Sequence, residues 1–334
     1  MAPLKVGLCP ALTVEVLNSL LNAGVRTVSE FVCMDLELMM TKCGCVSYKD
    51  LVAIRKVLLV QYSAFPVGGS SWYEEILSTT AILSTGNSRL DDMLDGGIFT
   101  GALTELIGAP GSGKTQICMS LAVHAASRLE QNVLYVDTTG DCSGQRLQDI
   151  LYYSTGDRES STLSRIGFRR IFDPWQLLDL LQKTKAAISK QSDLFYSQLK
   201  LLIVDSVAAV ISPTLGGQQT EGHAILLNIS RQLKVLSSEH AIAVLMTNNV
   251  VQGELSEPWP GLGRSWQHIP DTRLLVQGTD SPEPQDRHIS VMKSPRLPRG
   301  LSTTLRLSAA GILDLHTHTS HETQGQAGQS TWKT

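Results

Sequence analysis

Four things are scarce in this sequence, and each scarcity removes a class of protein. It has no run of eighteen or more apolar residues, which argues against a transmembrane helix. Met1 to Pro10 carries neither the basic segment nor the long apolar stretch and small-residue site of a secretory leader, so none is expected. The six cysteines, Cys9, Cys33, Cys43, Cys45, Cys118 and Cys142, follow no framework spacing. Cys43 and Cys45 flank a single glycine and no second pair follows, so the thiols read as reduced side chains of a nuclear or cytosolic protein. Positive charge is also in short supply: 28 Lys and Arg face 31 Asp and Glu, a formal net charge of −3. No global field draws nucleic acid to the chain, so any such contact rests on a local patch or a gathered loop.

What is present is a globular composition, 42% apolar and only 18% charged over 334 residues, long enough for one large domain and one small one. Residues 1–62 read as a small helical domain. Thr13 can cap a helix whose Val16, Leu17, Leu20 and Leu21 share a face, with Gly24 at its exit. Asp35 opens a second helix and Ser47 a third, with Leu51, Ile54 and Leu58 at helical spacing. Residues 63–83 read as a linker, because proline and glycine in Phe65-Pro66-Val67-Gly68-Gly69 interrupt both periodicities.

From residue 84 to 315 short β-rich runs alternate with helical segments. Strands are expected at 103–107, 133–136, 169–172, 199–204 and 242–246, with helices over 115–130 and 221–239 and another capped by Asp173 before Pro174. The alternation predicts an α/β core, a mainly parallel sheet with helices on both faces. Four turn-separated runs at 272–276, 288–292, 301–307 and 312–315 predict an antiparallel extension. Residues 316–334 are polar and Gly/Gln/Thr-rich and read as a disordered tail, its His316, His318 and His321 solvated.

The chemistry concentrates at Gly108-Ala109-Pro110-Gly111-Ser112-Gly113-Lys114-Thr115, which fits the G-x-x-x-x-G-K-[ST] phosphate loop. Its glycines let backbone N–H groups converge on phosphate without a Cβ in the way. Lys114 supplies a compact charge for the outer phosphates, the Thr115 hydroxyl can ligate Mg²⁺, and the following helix aims its positive end at the same anion. ATP and Mg²⁺ are therefore the expected cofactors. Leu201-Leu202-Ile203-Val204-Asp205 reads as a buried strand ending in an acid, which places Asp205 at the carboxyl edge of the sheet as a second holder of Mg²⁺.

With these motifs in hand, the chain resembles the RecA-type recombinases, in particular their eukaryotic and archaeal branch. Ser84-Thr85-Gly86, Leu94-Asp95-Gly96-Gly97-Ile98, the phosphate loop through Ile117, Tyr135-Val136-Asp137, Leu202–Ser206, Thr247-Asn248-Asn249 and Ser294-Pro295 carry the resemblance over roughly residues 84–310. Ala23-Gly24-Val25 and Lys42-Cys43-Gly44 are similar to the family's small helical domain. A narrower likeness, to its recombination-mediator paralogues, rests on Ser63-Ala64-Phe65-Pro66-Val67, Leu215-Gly216-Gly217-Gln218-Gln219 and Leu262-Gly263-Arg264-Ser265-Trp266.

The resemblance implies a RecA-like ATPase core, and roles for particular residues. Arg146 falls where the family stacks an arginine on adenine, against the plain reading of an exposed helix cation. Asn249 stands where the family senses the outer phosphate with Gln. Residues 213–220 and 250–265 fall where the two DNA-facing loops lie, with Gln218 and Arg264 as candidate contacts and Trp259 or Trp266 as possible stacking groups or packed side chains. Thr139 occupies the position of the Glu that orients the attacking water, so weak DNA-dependent hydrolysis is expected, with ATP largely a structural ligand. Lys293 falls where the family approaches a neighbour's nucleotide. The Val67-Gly68-Gly69-Ser70 stretch aligns with the family's polymerisation hook without its aromatic, which favours a hetero-complex of sister paralogues over a homopolymer.

The implied function is an ATP-binding mediator of homologous-recombination repair, acting in the nucleus with sister recombinase paralogues on single-stranded DNA and without membrane contact. An autonomous DNA-stimulated ATPase or strand exchanger and a nucleotide-independent adaptor are the alternatives.

Overall fold

The computed structural model describes residues 3–44, 46–63, 66–156, 160–190, 193–215, 220–252, 258–279 and 283–314. The chain divides into two compact units, Met1–Ile76 and Leu77–Thr334. Cys45, Phe65, the loop residues 216–219 and 253–257, and the expected tail lie outside the described residues.

In the first unit, helices α1 (Val14–Asn22), α2 (Val28–Cys33), α3 (Leu36–Cys43) and α4 (Tyr48–Tyr62) are each opened by a side-chain cap. Thr13, Asp35 and Ser47 serve α1, α3 and α4 as their positions predict. Helix α2 was not legible as a separate element. It is held by a capping box in which Thr27 accepts from the Glu30 amide and Glu30 accepts from the Thr27 and Arg26 amides, and these contacts keep the Glu30 carboxyl below its usual range. Leu20, Phe31, Met39, Leu51, Ile54 and Leu58 form the centre of the core, each fully buried.

The stretch expected as a linker contains a further helix, α5 (Gly69–Thr79), begun by a bond from the Trp72 amide to the Gly68 carbonyl. The Pro/Gly punctuation ends at Gly69, and Trp72, Tyr73 and Leu77 follow on a helix that leaves all three well exposed. The boundary between the units falls inside it.

The second unit opens with strand β1 (Ile82–Leu83), helix α6 (Ser88–Met93) and β2 (Ile98–Phe99), the two strands making a small antiparallel ladder. The main sheet then takes β3 (Leu103–Gly108), β4 (Asn132–Asp137), β5 (Ile166–Arg170), β6 (Leu199–Asp205), β7 (Ala243–Gln252), β8 (Pro258–Pro260), β9 (Thr272–Gly278), β10 (Asp286–Lys293), β11 (Ser302–Ser308) and β12 (Gly311–Asp314). Its helices are α7 (Lys114–Ser127), α8 (Gly144–Thr155), the short α9 (Ser160–Leu163), α10 (Pro174–Lys190), the short α11 (Leu194–Ser197), α12 (Val207–Ile211) and α13 (Thr220–His240).

The strand order β12-β11-β10-β9-β3-β7-β6-β4-β5, with β8 beside β7, makes a ten-stranded sheet. From β9 to β5 the ladders are parallel, and from β9 outward to β12 they are antiparallel. This is the RecA-like architecture with its antiparallel extension. Every residue of β3 and β4 is buried, as befits parallel strands covered on both faces. One face packs α7 and α8 through Ile117, Leu121, Leu147 and Ile150. The other packs α10, α12 and α13 through Leu177, Leu181, Val210, Leu226 and Leu233. Strand β5 begins three residues earlier than its sequence suggests, because Ile166 and Gly167 pair with Val133 and Leu134 despite the weak strand propensity of the glycine.

Both edges of the sheet are treated. Strand β5 exposes Arg169 and Arg170, and the four-residue β12 ends in Asp314, whose carboxylate accepts from the Ser88 hydroxyl at 2.8 Å and from the Ser88 and Arg89 amides at the start of α6.

Candidate functional site

The parallel strands set their C-terminal ends side by side: Gly108 stands opposite Asn249 across the β3–β7 ladder, and Asp137 opposite Asp205 across β4–β6. The phosphate loop leaves β3 at this edge and enters α7 at Lys114. Its shape needs its glycines. Gly113 has φ +98°, and a Cβ there would lie 2.6 Å from the Leu307 Cδ1; a Cβ on Gly108 would lie 2.5 Å from both the Ser112 Oγ and the Val276 carbonyl oxygen.

The loop bounds a cavity of about 520 Å³ lined by Gly111, Lys114, Thr115, Thr139, Asp205 and Asn249, among others. Lys114 is buried, and its ammonium donates to the Gly108 carbonyl at 2.7 Å and the Ala109 carbonyl at 3.0 Å. Burial lowers its pKa, and the nearby Asp205 opposes that shift. The Ser112 hydroxyl is buried and has no hydrogen-bond partner. A buried ammonium and a loop whose glycines leave no Cβ at 108, 111 and 113, at the start of α7, together make a cradle that fits a phosphate anion. Lys114, Thr115 and the loop amides would hold a triphosphate, and Thr115 with Asp205 would hold its Mg²⁺.

Asp205 is the better prepared of the two strand-end acids. The Thr247 hydroxyl donates to its Oδ1, and the Tyr135 hydroxyl donates to its Oδ2 at 3.0 Å, so the carboxylate is held in one orientation in the cavity wall. Asp137 is occupied differently. Its Oδ1 accepts from the Gly140 amide at 2.8 Å and the Thr139 amide at 3.1 Å, closing the turn that presents Thr139. Two thiols lie beneath. Burial raises the Cys118 pKa, and burial, then Asp137 and Asp205, pushes Cys142 up to about 12, so both stay protonated and unreactive.

The other expected site residues divide. Thr139 and Asn249 line the cavity and are exposed there, together with the exposed Asp141. Arg146 is not in its lining. The guanidinium is held by the Gln116 Oε1 at 2.9 Å and by the carbonyls of Ala309 and Ser308 at 2.7 and 2.6 Å, which fastens α8 to the β11–β12 turn. Lys293 gives its ammonium to the carbonyls of Gln267, His268 and Pro270, the last at 2.6 Å. Trp266 is fully buried and donates from Nε1 to Glu105 at 2.6 Å, so it is a packed residue and no stacking platform. Trp259, on β8, is exposed, as is Arg264; Gln218 lies outside the described residues.

Two features escaped the sequence. Glu105, in the middle of β3, is wholly buried and bonded to Arg273, Trp266 and Asn248. An acid within an apolar strand was the only signal for it. Arg287, on β10, reaches the loop and lines the cavity, and no local pattern marks it.

A phosphate loop on a mainly parallel sheet, a strand-end acid beside it and an antiparallel extension define a RecA-like P-loop core. Known proteins agree. The family model described as Rad51 matches residues 77–315, and the one described as RAD51D, N-terminal domain, matches residues 1–61. The chain belongs to the Rad51 family. It is 46% identical over 319 residues to DNA repair protein RAD51 homolog 4 of Bos taurus, covering 93% of this chain and 97% of that one. It is 43% identical over 322 residues to the protein of the same name in Mus musculus, covering 93% and 96%. DNA repair protein RAD51 homolog 2 of Homo sapiens is more distant, 31% identical over 258 residues and 65% of each chain.

Proposed function

We propose that this chain is an ATP-binding mediator of homologous-recombination DNA repair, working in the nucleus within a hetero-complex of recombinase paralogues on single-stranded DNA. The observation that carries the reading is the cavity in which buried Lys114, Thr115 and the hydrogen-bonded Asp205 converge. The relatives named for DNA repair support the pathway. Thr139 faces that cavity where the family resemblance expects a glutamate, and a neutral hydroxyl is a poor base, which supports slow hydrolysis and a structural use of ATP and Mg²⁺. With Arg264 as the exposed cation of its loop, DNA contact is weak and gains from the complex.

The autonomous DNA-stimulated ATPase has one observation in its favour, the carboxylate of Asp141 in the cavity wall. Equilibrium unfolding with and without ATP and Mg²⁺ tests nucleotide binding. At a hundredfold excess over Kd the ligand adds about 2.7 kcal/mol to the core, and Lys114→Ala abolishes the gain. A wild-type chain that gains nothing sinks the reading. Turnover on single-stranded DNA that is fast and lost in Asp141→Asn moves the assignment to the ATPase.

A further inference from the structure

Arg287 is delivered to the phosphate loop by the antiparallel extension, far from it in sequence. Its Nε donates to the Ser112 carbonyl at 2.9 Å, and one terminal nitrogen donates to the carbonyls of Pro284 and Asp286 at 2.7 and 2.8 Å. These bonds fix the plane of the guanidinium. Among the described residues its other terminal nitrogen has no partner, and Arg287 lines the same cavity as Lys114, Thr115 and Asp205. Lys114 and Arg287 are the two cations of that lining. The neighbouring strand is fitted to the loop as closely: Leu307 and the Arg287 Nε lie 2.6 and 3.5 Å from where a Cβ on Gly113 would stand.

A nucleoside triphosphate with one divalent cation is still anionic, and the single Lys114 ammonium does not neutralise it. A guanidinium held rigid by carbonyls on one side meets phosphate oxygens on the other with little loss of freedom. We infer that Arg287 is a phosphate-binding residue of this site, supplied within the same chain, and that it favours nucleoside triphosphate over monophosphate. This rests on the ATP-binding reading above. It makes the β10–β11 pair part of the binding site, so nucleotide clamps the extension to the loop.

Titration of the full-length chain with fluorescent ATP, with Mg²⁺, and with AMP over a range of salt concentrations tests it. Arg287→Gln weakens ATP about tenfold or more, leaves AMP unchanged and flattens the salt dependence; Arg287→Lys restores the salt dependence. A Gln variant that binds ATP like wild type overturns the inference. So does one that loses ATP and AMP by the same factor at unchanged salt dependence, the signature of a brace for Ser112 alone. Should the Gln variant unfold, the Lys variant decides: wild-type salt dependence with any loss confined to ATP supports the phosphate contact, and ATP and AMP weakened by the same factor refutes it. Wild-type protein that takes up no nucleotide defeats the ATP reading first, and is told apart by Lys114→Ala behaving identically.

Discussion

The two units solve the same problem, staying folded, with different materials. Among the described residues of Met1–Ile76, no polar or charged residue is buried: Thr13, Thr27, Asp35 and Ser47 cap helix starts, and Leu20, Phe31, Ile54 and their neighbours fill the centre. The core buries Glu105, Lys114, Asp137, Asp205, Arg273 and Asp286. Burying charge costs free energy unless it is paired, and a fold that needed only stability would leave it out. The difference teaches where the chemistry is. Polar groups of the small unit serve its own backbone, while in the core Lys114 and Asp205 line the cavity and Glu105 and Arg273 pair within the sheet.

Three experiments sharpen or break this contrast. The largest effect is expected at Glu105, whose carboxylate holds Arg273, Trp266 and Asn248. Glu105→Ala leaves a buried guanidinium uncompensated and destabilises the core by about 3–5 kcal/mol. Denaturant unfolding of the full chain reads this, and a loss below about 1 kcal/mol contradicts the account of the network. Next is Ile54→Ala in the small unit, a cavity mutation costing about 2–5 kcal/mol. Unfolding followed by a probe in the first unit should shift while ATP affinity does not, and a matching drop in affinity denies the separation drawn here.

The smallest effect is a pH dependence at His124 on α7. Burial, assisted by Arg128 and opposed by Asp91, holds its pKa below the ordinary 6.5. Below about pH 6.5 the unfolded chain then binds more protons than the folded one, so stability is complete above that value and declines as pH falls through it. His124→Gln should reduce the decline between about pH 7 and pH 5.5. An unchanged slope assigns the decline elsewhere.

Legibility followed the range of the interaction. The phosphate loop is eight consecutive residues whose types are each required locally, so Gly108–Thr115 was readable, as was Asp205 at the end of an apolar strand. The caps Thr13, Asp35 and Ser47 were readable for the same reason. Arg146 and Lys293 look like free cations in sequence, because the carbonyls that hold them come from turns distant in the chain or from irregular segments. Arg287 meets Ser112 across 175 positions, and nothing near either residue announces the contact. Helix α5 was hidden by the glycines before it.

The sheet's margins have a consequence for association. An unguarded outer strand is a template on which a second copy can add its own backbone. Here one margin is a five-residue strand ending in exposed Arg169 and Arg170 on opposite faces, and the other is four residues long and tied by Asp314 to a helix start. Two copies brought margin to margin meet like charge or too short a ladder. Continuous β-pairing between molecules is disfavoured, and assembly is left to helical faces and loops, where side chains and not bare amides choose the neighbour.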